Sequence, residues 1–310
     1  MAILFDQKDC STTRKNLGAP NCIINEGRLV GFVQVPKGWS LNTTTDAFGL
    51  AYVNEQIQLG NFNPVLDAVE ATNNTPEPTT EEYQGGVMSV VRNGLPQFTF
   101  KFVKRGWKYA SALYTWNSFQ AFDVLFVFDT GAIGALVDGT TLSGFPLGML
   151  NTGTYMFTDG SVSDSVSVTM QITNADLFMT NASILTSATL GFNPNSALYP
   201  ISDIVLTGRA DVSEQKVYFF AKFAMNQAEN LNNIAIANLR FTIDGVSDTI
   251  TALSLSQDPV TKEYRFTPTT AITTAEDLVV QLYDAVAVAD STKIGSRFYK
   301  GATTSFNAVA

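Results

Sequence analysis

The run FDVLFVFDTGAIGALVDG, residues 122–139, decides the fold class of this chain. FDVLFVF is its most strongly apolar stretch, and Asp129-Thr130-Gly131 supplies the turn that leads a first strand into a second, AIGALV at 132–137. Asp138-Gly139 ends that second strand in the same way. Short apolar runs punctuated by turn residues predict antiparallel sheet.

Upstream, GVMSVVRNGLPQFTFKFVKRG, 86–106, reads as a strand pair turned at Asn93-Gly94, with alternate Phe residues on a buried face and Lys outside. WKYASALYTWNSFQ follows, where Tyr109, Leu113 and Trp116 fall at helical spacing, and Trp107 and Trp116 read as core. RLVGFVQVP, 28–36, is a strand ended by Pro36, and 44–59 is a helix capped by Thr44 or Thr45, with Gly60 closing it. Residues 1–27 read as an extended N-terminal arm. Downstream, TGTYMFT and VSVTMQI predict a hairpin about Asp159-Gly160-Ser161. Residues 28–190 are thus expected to form an antiparallel β-barrel or sandwich with one or two flanking helices. GFNPNSALYP, 191–200, has the composition of a boundary. Beyond it ISDIVLTG, KVYFFAKF, IANLRFTI, DTITALSL, EYRFTP, DLVVQLYD and KIGSRFYK, with turns at Asp244-Gly245 and Asp258-Pro259, predict an immunoglobulin-like β-sandwich over 200–310.

The chain has 310 residues, 45% hydrophobic and 15% charged, which describes a folded protein with weakly charged surfaces. Histidine is absent, so every mechanism using it as base, ligand or triad member is closed. Cys10 and Cys22 are the only cysteines and cannot alone make a structural zinc site; they read as free thiols, with one small-loop disulfide as the alternative. No phosphate loop is present. The adjacent pair Glu81-Glu82 would place its carboxylates on opposite sides of an extended segment, unsuited to glycosidase chemistry. The turns at Asp129 and Asp159 lack the dense acidic ligands of a calcium loop. No catalytic residue, metal or cofactor is therefore expected. MAILFDQKDC is not a secretory signal, and no run approaches a membrane span, so the expected setting is a cytoplasm with no membrane partner.

Three features call for another explanation. ATNNTPEPTTEEYQGG, 71–86, cannot bury much of itself, so it is a plain linker or an arm that orders against something else; Thr75, Pro76, Glu77, Pro78, Thr79, Thr80, Glu81, Glu82 and Tyr83 form the candidate inter-subunit arm, which Pro76 and Pro78 stiffen. Lys101, Lys104, Arg105 and Lys108 form the one basic cluster, a candidate contact for the acidic faces of a neighbouring copy. Between Lys108 and Arg209 there is no Lys or Arg, while Asp123, Asp129, Asp138, Asp159, Asp164, Asp176 and Asp203 fall there. With a net charge of −9, these are either solubilising turn residues or a surface that repels a polyanion.

An N-terminal arm, the acidic Thr/Pro loop EATNNTPEPTTEE, a strand pair, the helix WKYASALYTWNSFQ and hairpins ending in TGTYMFTDGSVSDSVSVTMQIT, followed by an immunoglobulin-like domain, together resemble tail tube proteins of long-tailed bacteriophages. The resemblance implies a virion protein made in the host bacterial cytoplasm and assembled as hexameric rings, whose arms reach the next ring. It further implies a channel lined by acidic residues, the candidates being Asp123, Asp129, Asp138, Asp159, Asp164 and Asp176, through which DNA passes without specific binding. The alternative is a capsid decoration or head-fibre protein that binds a virion lattice or a cell-surface glycan through the loops of 200–310.

Overall fold

The computed structural model describes residues 27–308 other than 85, 120, 252–253, 285–290 and 301. The expected N-terminal arm, except Gly27, and both Cys10 and Cys22 lie outside the described residues. The protein is mainly antiparallel β-structure with few helices. It divides into two compact units, one running to Leu198 apart from Gln58–Gly60, and one made of Gln58–Gly60 and the residues from Tyr199 on. Among the described residues no helix is long and apolar enough to cross a membrane.

The first unit runs β1 (Leu29–Pro36), β2 (Ser40–Asn42), α1 (Leu50–Gln58), β3 (Asn63–Val65), β4 (Glu70–Asn73), β5 (Thr79–Tyr83), β6 (Val87–Arg92), β7 (Gln97–Val103) and α2 (Gly106–Tyr114). It continues with β8 (Ser118–Phe119), β9 (Phe122–Phe128), β10 (Ile133–Asp138), β11 (Thr141–Ser143), β12 (Phe145–Thr152), β13 (Ser165–Ile172), α3 (Ala175–Asn181), β14 (Ala182–Leu185) and the single turns α4 (Ser187–Leu190) and α5 (Pro194–Ala197). β9 pairs with β1, β10 and β12, and residues 123–127 are buried, which is why this strand is apolar on both faces. β12 then leaves β9 to pair with β13, β13 pairs with β7, and β7 with β4. The amide of Ala68 donates to Val30 O on β1 and that of Val69 to Lys101 O on β7, so the sheet bends back toward its first strand. Inside it, Phe98, Phe100 and Phe102 of β7 meet Phe32, Phe126, Val168 and Met170. The buried face of α2 covers this core through Ala110 and Leu113.

Local chemistry explains the departures from the expected elements. α1 begins at Leu50 because Asn42 takes the preceding residues into turns: its side chain accepts from the Thr44 amide and hydroxyl, and its carbonyl from the Asp46 amide. TGTYMFT partners VSVTMQI only at its start, where Thr152 faces Val168 and the Gly153 amide donates to Ser167 O; beyond that only a bridge joins Met156 to Ser165. Asp159 Oδ1 accepts from the amides of Ser161 and Val162 and makes a broad loop, which leaves the more apolar β12 to pair with β13. α3 was not expected; Asn174 caps it by accepting from the Leu177 amide. Trp116 packs partly buried against the core as expected, whereas Trp107 is 63% exposed.

The second unit contains β15 (Ile204–Asp211), β16 (Lys216–Phe223), β17 (Leu239–Ile243), β18 (Val246–Asp248), β19 (Ser256–Gln257), β20 (Tyr264–Phe266), β21 (Asp277–Leu282), β22 (Ser291–Ile294), β23 (Arg297–Lys300) and β24 (Thr303–Asn307). Two four-stranded antiparallel sheets, β15-β16-β20-β19 and β18-β17-β21-β24, share one core that includes Val217, Phe219, Phe241, Phe266 and Val280. Asp244 and Gly245 both take positive φ, 50° and 79°, as the tight β17–β18 turn requires. Among its described residues, the stretch expected as the strand DTITALSL contributes Asp248 to β18 and a bridge from Ile250 to Pro268. KIGSRFYK, expected as one strand, is a hairpin turned at Gly295.

Candidate functional site

The stretch 71–86 is one leg of a long hairpin. Asn73 of β4 faces Phe98 of β7, and the Asn74 amide donates to Gln97 O. Pro76, Pro78 and Pro96 then remove three backbone donors, and the ladder lapses. Six residues further along each leg, Thr79 faces Arg92; a bulge at Val91 then shifts the register by one, so that Thr80 faces Val90 in β5 and β6. The hairpin turns after Tyr83, with Gly86 at φ 76°. The turn expected at Asn93-Gly94 is therefore not one, because the strand before it pairs with β5 and not with β7. Nor is the arm an unpaired extended segment: its residues Thr79, Thr80, Glu81, Glu82 and Tyr83 form β5 within the chain. Thr75 turns back on Asn73, and Thr75, Pro76, Glu77 and Pro78 make the connection.

Ten residues separate Asn73 from Tyr83, an extended length of roughly 30 Å. Among the described residues β5 and β6 pair only with each other. Thr79–Glu82 are exposed, and Tyr83, Met88, Val90 and Val91 are each more than half exposed. Pairing alternates the side chains, so Glu82 shares one face with Met88 and Val90 while Glu81 and Tyr83 share the other. The adjacent glutamates thus point apart.

The hairpin root is fastened to the body of the unit. A Cβ on Gly94 would fall on the carbonyl oxygen of Pro76, so the two legs touch there through backbone. Asn93 Nδ2 donates to Asp176 Oδ1 of α3 at 3.0 Å, and the Gln97 amide donates to Thr75 Oγ1 at 3.1 Å.

At the opposite end of β7 and β13 lies a groove of ~350 Å³ lined by Trp107, Ser111, Tyr114, Thr154, Tyr155 and Phe157. Trp107 and Tyr155 stack with ring centroids 6.3 Å apart, and Phe157 meets Trp107 edge-on at 5.3 Å. Asp164 accepts from the Tyr155 hydroxyl at 2.8 Å and the Gly106 amide at 3.2 Å, holding loop and helix start together. That bond to Asp164 raises the Tyr155 phenol above its ordinary pKa. Tyr114 and Phe157 are exposed to about the same extent as Trp107. Lys104, Arg105 and Lys108 flank the groove, and Lys101 faces Glu70 across the β4–β7 pair. Arg105 bonds Asp67 at 2.6 Å and lies 5.7 Å from the Tyr109 ring centre. Burial pushes the Tyr109 phenol up to about 12, so Arg105 faces a neutral ring.

The six aspartates expected to line one surface do not share a face. Asp123 is buried on β9, where its carboxylate accepts from the Gly38 amide at 2.8 Å and burial raises its pKa. Asp129 and Asp138 flank opposite ends of β10, and Asp164 and Asp176 opposite ends of β13. Asp129 accepts from the Arg28 amide and Asp159 from its own turn, whose bonds to the Val162 amide and the Ser161 hydroxyl and amide lower its pKa. Asp123, Asp129, Asp159 and Asp164 thus accept from backbone amides at or near strand ends, while Asp176 accepts from the Asn93 side chain.

Among the described residues no three His, Cys, Asp or Glu side chains gather as a metal site would need. The signals missed in the sequence were Met88, Val90 and Val91, read only as strand residues, and Tyr114, Tyr155 and Phe157, dispersed over two segments. No protein-family model matches the chain, and no curated protein matches it either.

Proposed function

We propose that this chain is a virion structural subunit of the tail tube kind, which assembles head to tail into stacked rings around a channel for DNA. The observation that supports this most is the projecting hairpin. A two-stranded ribbon alone in water is marginally stable, and this one holds four apolar side chains in solvent. A second molecule would supply the missing layer. The aromatic groove lies at the other end of the same strands, so a chain can offer one surface upward and the other downward. Repeated contacts of that kind close into rings or extend as stacks. The net charge of −9 suits a conduit that DNA crosses without binding. The second unit would be an immunoglobulin-like appendage, with no catalytic part. The test is electron microscopy of the purified protein across a concentration series, with light scattering on the same samples. Rings or tubes with a central channel are expected; strictly monomeric particles at the highest concentration would overturn the proposal.

A further inference from the structure

We infer that the β5–β6 hairpin of one copy seats in the Trp107–Tyr114–Phe157 groove of a second copy. The inference rests on the self-assembly reading above and names the two surfaces that meet.

Both surfaces are exposed and apolar, and both belong to the first unit. One copy cannot bring them together. The hairpin leaves the sheet beside Gln97 and Gln171, whereas the groove lies beyond Val103 and Ser165, at the other end of the same paired strands. The eight residues of β13 put about 24 Å between those ends. The hairpin is rooted at the end remote from the groove, where Asn93 bonds Asp176 and Val90 and Val91 lie beside the start of α3. A contact between copies satisfies both surfaces at once, and because the surfaces differ it leaves one of each unfilled at the ends of any open chain.

The chemistry of the rims favours this pairing over an unrelated occupant. Glu77, Glu81 and Glu82 accompany the apolar side chains of the hairpin, and all three are exposed. Four of the seven Lys and Arg among the described residues of the first unit lie at 101–108, the stretch that leads into α2; Lys101 among them faces Glu70 and Arg105 bonds Asp67, and Arg28, Lys37 and Arg92 are the others. The groove lining itself carries no charged side chain. Met88 and Val90 would enter among the rings with Glu82 on the same face, while Glu81 on the opposite face stays in water; such charges steer encounter more than they hold the complex.

The test uses two full-length variants, each spoiling one surface: Val90→Asp in the hairpin and Phe157→Asp in the groove. Both positions are exposed, and circular dichroism with thermal melting checks that each variant keeps the wild-type fold; Met88→Asp and Trp107→Ser serve as second variants. Each variant alone should lose self-association by at least about 30-fold, the cost of a spoiled interface hot spot. Mixed one to one, the variants each retain one good surface, so they should form two-subunit complexes and stop there. Weakening of those dimers by salt would support the rim charges. Folded variants that remain monomeric when mixed would overturn the pairing. Variants that assemble like wild type would overturn it too, while leaving self-assembly itself standing. A wild-type chain that never associates would instead remove the reading on which the inference rests.

Discussion

Replacing Gly94 with alanine tests whether the hairpin is rooted where the two legs touch. Gly94 does not need a positive φ, so alanine suits its backbone, and the effect comes from contact alone. The new methyl group would land on the Pro76 carbonyl oxygen and 2.8 Å from the carbonyl carbon. Backbone cannot swing aside as a side-chain tip can. Relief must separate the legs, and the nearby restraints are the Asn74–Gln97, Gln97–Thr75 and Asn93–Asp176 hydrogen bonds. Each is worth about 1 kcal/mol net. The strain of overpacking is typically about 1–3 kcal/mol. The variant should therefore lose roughly 2 kcal/mol, either as retained strain or as broken root bonds, which lowers the melting midpoint of a unit this size by about 4–8 °C. The control is Gly49→Ala, where a Cβ meets nothing within 4 Å; it should move stability by less than about 0.5 kcal/mol. Urea and thermal melts of both variants, followed by light scattering, give the readout. Gly94→Ala should melt early and assemble poorly. If it matches Gly49→Ala in both assays, the legs do not meet as described.

Other substitutions probe parts remote from the hairpin. Asp123 has its pKa raised chiefly by burial, with the Gly38 amide and Lys37 opposing; its stabilising contribution is full below the unfolded carboxylate pKa and is lost as pH rises through the folded value. Asp123→Asn should therefore lose the gain the wild type shows on acidification in that window, and identical pH slopes in urea melts would refute this. In the second unit, a Cβ on Gly208 would lie 2.6 Å from a ring carbon of Phe306. Gly208→Ala should cost about 1–2 kcal/mol, and adding Phe306→Leu should recover most of it in thermal melts. Arg209 makes a two-pronged bond with Glu263 at 3.0 and 2.9 Å while lying 4.0 Å over Tyr218. Arg209→Lys should cost less than about 1 kcal/mol, since the guanidinium is largely exposed, and a larger loss in chemical denaturation would mean that the stacking on Tyr218 dominates.

Much of the architecture was legible because periodicity reports burial. FDVLFVF is apolar apart from Asp123 since β9 is covered on both faces, and QFTFKFV alternates since only one face of β7 meets the core. Asp123 inside that apolar run was itself a sign of a buried, hydrogen-bonded carboxylate. Pairing was harder to read. Asn93-Gly94 has ideal hairpin residues, yet the register is set by partners on both sides of it, and VMSVVR looks like a core strand although its partner TTEEY offers nothing apolar to pack on. The three prolines about the root were the clue: they interrupt two legs that pair again beyond them, with a bulge at Val91. The groove escaped notice because Trp107 and Phe157 lie fifty residues apart and meet only when the 153–164 loop folds over the start of α2. The aspartates were read as a set because they share a stretch of sequence, but alternating strand ends send them to opposite sides of the unit.

The most direct measurement compares the mass in solution of the wild type with that of a chain in which residues 77–93 are replaced by a short Gly/Ser turn, by light scattering over the same concentration range. The wild type should grow to many subunits while the shortened chain, with its β7, β9 and β13 core untouched, remains a folded monomer. A shortened chain that assembles like the wild type would contradict the claim that the hairpin joins one copy to the next.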